Sequence, residues 1–214
     1  MNVELIVPNN LGEVTLGQYQ EYIKVIDLPE NELAFKMVEI FCGLNKEQTR
    51  ALKMTDITDI SNIISTMFDS SPPLIHKFKM KGIEYGFIPS LDDMSFGEYI
   101  DLDTYIGDWD NMQKAMGVLY RPITNKYGGK YTIEDYKAQD VEHLKGMPLD
   151  AVLGSILFFY HLGIDLCKII TSYSQDTKET NLLRYLNSEQ NGDGTVVSMH
   201  SLNQILGDLN ISLN

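Results

Sequence analysis

The chain has 214 residues, is 43% hydrophobic, and carries 17 Lys and Arg against 30 Asp and Glu, for a net charge of −13 and a pI near 4.6. That length supports a sizeable core, and charge of that sign repels phosphate backbones and anionic lipid, which argues against nucleic-acid and membrane-surface partners. Cys42 and Cys167 lack C-x-x-C spacing and sit in apolar helical patterns, so both read as small core residues.

Residues 1–8 lack the basic and apolar regions of a secretory signal, so export by that route is not expected. Residues 3–7 alternate briefly before Pro8, the pattern of a short edge strand or extended arm. Thr15 then caps a helix carrying Leu16, Tyr19, Tyr22, Ile23 and Ile26, with Gln18 placed to complete a capping box. A second helix, with Leu33, Met37, Val38 and Phe41 on one face, stops at Gly43. Residues 46–53 read as a short charged helix. Asp56 is the expected cap of a stripe formed by Ile57, Ile60, Ile64, Met67 and Phe68, which Pro72-Pro73 ends.

From Ile75 the period changes to two. Phe78 and Met80 alternate with Lys77, Lys79 and Lys81, and Gly82 turns the chain into 83–88, giving a β-hairpin with one basic face that guards an edge. Ser95 and Glu98 repeat the Thr15 and Gln18 capping pattern and start a helix to about Ile106. Another helix, with Met112, Met116 and Leu119 inward, runs to Tyr120, where Arg121-Pro122 stops it. Residues 123–146 hold three tyrosines and a turn at Gly128-Gly129. Pro148 opens a long helix to about Ser172. Its apolar stretch, 151–164, falls short of the roughly 18 to 20 residues needed to cross a bilayer, so it reads as a buried central helix.

These elements predict a mainly α fold: a helical domain over 1–172 with a central long helix and one small β-hairpin. Residues 173–214 form a polar tail with a Gly-containing joint at 191–194 and a short amphipathic helix bearing Leu202, Ile205, Leu206 and Leu209, which docks either on its own core or on another chain. The two capped helices, near 15–42 and 95–120, read either as a weak internal duplication or as coincidence of a common capping motif.

No segment spells out a chemistry. The carboxylates Asp92, Asp93, Glu98, Asp101, Asp103, Asp108 and Asp110 are of the type that Ca²⁺ or Mg²⁺ prefers, but their spacing fails the EF-hand pattern, and a solvated acidic face is the plainer reading. His76, His143, His161 and His200 are isolated in sequence, and neither a P-loop nor a dinucleotide fingerprint is present. No catalytic, metal or cofactor-binding residue is therefore assigned, no cofactor is expected, and a metal-dependent hydrolase built on the acidic cluster is the weakest alternative. Twelve Tyr and ten Met supply adaptable contact material instead. Tyr120, Arg121, Tyr127, Tyr131 and Tyr136, with Leu202, Ile205, Leu206 and Leu209 of the tail, are the expected partner-binding residues.

The phrases Leu91-Asp92-Asp93-Met94-Ser95-Phe96-Gly97-Glu98-Tyr99-Ile100-Asp101-Leu102, Ala115-Met116-Gly117-Val118-Leu119-Tyr120-Arg121-Pro122-Ile123 and Tyr131-Thr132-Ile133-Glu134-Asp135-Tyr136 resemble morphogenesis proteins of tailed bacteriophages, in particular small acidic tail-assembly chaperones. The resemblance implies a non-enzymatic protein of the host cytoplasm that holds phage tail components until they assemble, with self-association a further option. Related genes encode virion ring, connector or baseplate subunits, which is the alternative it leaves open.

Overall fold

The computed structural model describes residues 5–138 and 141–174, the side chains of 165–174 excepted. Within them lie seven α-helices: α1 (Leu16–Ile23), α2 (Glu30–Cys42), α3 (Lys46–Arg50), α4 (Met54–Phe68), α5 (Phe96–Tyr105), α6 (Met112–Leu119) and α7 (Leu149–Ser174). Four strands, β1 (Lys77–Met80), β2 (Ile83–Phe87), β3 (Tyr120–Tyr127) and β4 (Lys130–Ile133), form one antiparallel sheet in the order β1-β2-β3-β4.

The sheet corrects the expected fold class. The first hairpin stands at the predicted place, with Met80 opposite Ile83 across a two-residue turn in which Lys81 and Gly82 both adopt positive φ, the geometry that matches strand twist. It is half of a larger sheet. Tyr120-Arg121-Pro122 does not simply end a helix: α6 runs without a loop into β3, which pairs with β2 and then returns through Gly128-Gly129, both at positive φ, into β4. Pro122 is tolerated there although it brings no N–H to the ladder. Residues 5–9 form no strand.

Several helix ends follow from local chemistry. Thr15 Oγ1 accepts from the Gln18 N–H while the Gln18 side chain accepts from the Thr15 N–H, and Ser95 with Glu98 repeats the arrangement. Asn45 with Gln48 forms a third capping box at α3. Gly43 closes α2 in the left-handed region at φ +66°. Asp56 is not a cap, because α4 begins at Met54 and places Asp56 inside the first turn, where a carboxylate still favours the helix dipole.

Two helices share the centre. On α6 every residue except Lys114 is buried, and α7 is buried from Leu149 to Leu157 apart from the half-buried Asp150. Beyond Leu157 the helix emerges, with Phe158 and Phe159 half-buried against Phe87 of the sheet and His161 exposed. Gly154 permits the Pro73 carbonyl to cross α7, since a Cβ there would lie 2.3 Å from that oxygen. The start of α7 is tied to the N-terminal segment by Leu149 N–H donating to the Val14 carbonyl and Leu16 N–H to the Met147 carbonyl. On the other side of α1, Gln20 donates to the Trp109 carbonyl and to Gln113, which donates to Glu142, so the buried amides are satisfied. No helix among the described residues is long and apolar enough to cross a membrane.

Candidate interaction surface

The two copies of the repeated capping phrase bury opposite faces. On α1, Leu16, Tyr19 and Gln20 are all inside the core. The matching residues of α5, Phe96, Tyr99 and Ile100, are 80%, 40% and 45% exposed. Helix α5 instead turns Glu98, Leu102 and Ile106 inward. With 100° per residue, Phe96 and Ile100 lie 40° apart and face away from Leu102, so the helix bears apolar side chains on both sides. A third capping box, at Asn45, stands outside the repeated pair.

The inward turn of α5 is fixed by an ion pair. Arg121, at the start of β3, donates from Nη2 to Glu98 Oε1 at 2.8 Å, and both side chains are nearly buried, at 12% and 8% exposure. Burial alone would raise the Glu98 carboxyl. Hydrogen bonds from the Ser95 N–H and hydroxyl, together with the Arg121 guanidinium, outweigh it and hold the group below the usual glutamate range. Arg121 Nε is buried without a hydrogen-bond partner. The guanidinium lies 5.9 Å from the ring centroid of Tyr136, whose hydroxyl donates to Asp101 Oδ2. Burial first, then that carboxylate, pushes the Tyr136 phenol well up.

Between α5 and the second hairpin is an open cleft of about 360 Å³. Its rim carries Asp93, Glu134 and Asp135, all exposed, around the buried Glu98 and Arg121, with Tyr131, Ile133 and Tyr136 as its apolar wall. Arg121 is committed to Glu98, so the cleft presents net negative charge.

The expected partner-binding residues are thereby separated. Tyr120 is in the core, edge-on to Phe78 and Phe87, with its hydroxyl donating to the Ile75 carbonyl at 2.8 Å. Arg121 and Tyr136 line the cleft from within. Tyr131 lies across Gly86, where a Cβ would meet its ring at 2.4 Å, and its hydroxyl donates to the Phe87 carbonyl. Tyr127 stands 71% exposed near the hairpin tip. Leu202, Ile205, Leu206 and Leu209 lie outside the described residues. Sequence reading missed Phe96, Tyr99 and Ile100, although a helix with apolar residues on two faces was the available signal.

Among the described residues no three His, Cys, Asp or Glu side chains converge as they would around a metal ion. Asp101 instead accepts from Tyr136, and Asp108 caps the turn at Trp109–Asn111. Comparison with protein-family models, curated proteins and solved structures returns no match.

Proposed function

We propose that this chain is a non-enzymatic binding protein of phage morphogenesis, a tail-assembly chaperone that holds structural tail proteins in the host cytoplasm before they assemble. The phage setting comes from the resemblance of residues 91–136. The observation that supports binding is the outward Phe96, Tyr99 and Ile100 stripe on a chain whose net charge of −13 otherwise favours solvation. An apolar stripe held outward by a buried ion pair is suited to a client's apolar surface, and the acidic surround keeps the holder soluble between encounters.

Co-expression with phage tail proteins and affinity capture tests the reading. Tail components should co-purify, and Phe96→Ser with Ile100→Ser should lose them while the fold is kept. Mass spectrometry of purified particles separates the structural alternative: a chaperone is absent or trace, whereas a ring or baseplate subunit appears at fixed stoichiometry.

A further inference from the structure

We infer that the β1 edge of the sheet takes an acidic extended segment of a partner protein as a fifth strand. Among the described residues β1 pairs with β2 alone, so its other side is an open edge. Register decides which residues offer backbone groups there. Met80 and Ile83 flank the two-residue turn, the position of a hydrogen-bonded pair, and further along the ladder the Phe87 N–H donates to the His76 carbonyl. Bonded pairs alternate with non-bonded ones, so Lys77 and Lys79 fall between them and turn their N–H and C=O groups away from β2. Both residues are exposed. An antiparallel strand arriving at this edge would bond to Lys77 and Lys79 and set the residues opposite them on the lysine face. Its carboxylates therefore belong at i and i+2. The residue between them lies opposite Phe78, which packs on Tyr85 and Tyr120 on the core side, so an apolar side chain suits it.

Charge selects the sign. Lys77, Lys79 and Lys126 stand on one face of the sheet around a single carboxylate, Glu84, which Lys126 engages from β3. The hydrogen bond from Lys126, backed by the charges of Lys79 and Lys77, holds the Glu84 carboxyl below the usual glutamate range. Lys79 forms no ion pair with another described residue. The Lys77 ammonium lies 4.8 Å from the ring centroid of Tyr131, a contact that positions it without neutralising it. Lys81, exposed in the turn, adds a further cation at the end of the strand. The lysines that guard this edge also choose what may join it. A second copy pairing β1 with β1 about Phe78 would set Lys77 against Lys79 twice, like charges directly opposite, whereas a strand with alternate carboxylates meets an opposite charge at each. A nucleic acid is the poorer occupant, because it brings a charge at every nucleotide to a chain of net charge −13 and leaves the β1 backbone groups unpaired.

Fluorescence anisotropy and amide hydrogen exchange on the full chain test this with four probes: a peptide alternating Glu with Val, its Lys counterpart, the Glu peptide N-methylated at its Glu amides, and a single-stranded oligonucleotide. The Glu peptide should bind and slow exchange at the Lys77 and Lys79 amides. The Lys peptide and the N-methylated peptide should be weaker by roughly tenfold or more, the first through charge and the second through lost strand pairing. Affinity for the Glu peptide should fall between about 50 and about 300 mM salt. Lys77→Glu with Lys79→Glu should reverse the preference toward the Lys peptide while the thermal melting profile is kept. Phe96→Ser with Ile100→Ser should leave binding unchanged, because the α5 stripe is a separate surface. Equal binding of the Glu and Lys peptides, undiminished binding of the N-methylated one, or unaltered exchange at Lys77 and Lys79 overturns the inference. So does loss of Glu-peptide binding on substitution of Phe96 and Ile100, which moves the site to α5. Tighter binding of the oligonucleotide than of the Glu peptide overturns it as well, the face then being a nucleic-acid site. If the charge-reversed variant fails to fold, the probes on the unaltered chain decide.

Discussion

Arg121 looked like a surface anchor because it stands among tyrosines and lysines, yet burial decides its role. Arg121→Ala would leave Glu98 buried and uncompensated, a loss of roughly 3 to 5 kcal/mol, which urea unfolding would register. A loss under about 1 kcal/mol would mean that water reaches the pair freely. The same pair makes stability depend on pH. Glu98 titrates lower when folded than its unfolded value near 4.3, so its contribution is complete above that pH and disappears as pH falls through the lower folded value. Glu98→Gln should flatten that part of the acid unfolding profile. Gly154→Ala is expected to cost about 1 to 3 kcal/mol, because the atom in its way is the Pro73 backbone carbonyl, which cannot rotate aside as a side chain would. None of these three roles is visible in sequence: each depends on which distant segment arrives beside the residue.

At the scale of elements, the first hairpin was legible because Phe78 and Met80 point inward while Lys77 and Lys79 point out, giving a clean period of two. The second was not. Residues 124–127 are exposed, so no inward residues mark the period in that half of β3, and Pro122 normally demotes a strand. Gly128-Gly129 did signal the turn, and Gly128→Val should cost about 1 to 2 kcal/mol because that residue sits at φ +52°. Helix α5 was located correctly but neither of its faces was assigned to the core, since apolar residues at helical spacing carry no label for inside or outside. Phe96→Ser should change stability by no more than about 0.5 kcal/mol. A calorimetric loss several times larger would mean that Phe96 is covered in solution and the stripe is already occupied.

For the whole molecule, a central helix was legible from the apolar run at 151–164, but only its beginning is central. The equally buried α6 was read as one helix among several, because its eight residues are too few to stand out in a hydropathy scan. The sheet joined elements that the sequence separates, and pairing over such distances leaves no local trace. The hydrogen bonds between Val14 and Leu149, and between Leu16 and Met147, carry a consequence for how the chain is made. During translation α1 leaves the ribosome and finds Phe41 and Phe68 early, but the partners of its first residues, Met147 and the start of α7, are synthesised only after both hairpins have passed. Completion of the core therefore waits for nearly all of the described chain, and a ribosome stalled before codon 147 would display the start of α1 at Leu16 without its Met147 partner to proteases and to neighbouring nascent chains. A fragment ending at residue 146 should accordingly be degraded rapidly in limited proteolysis, whereas a chain extended through residue 174 should resist.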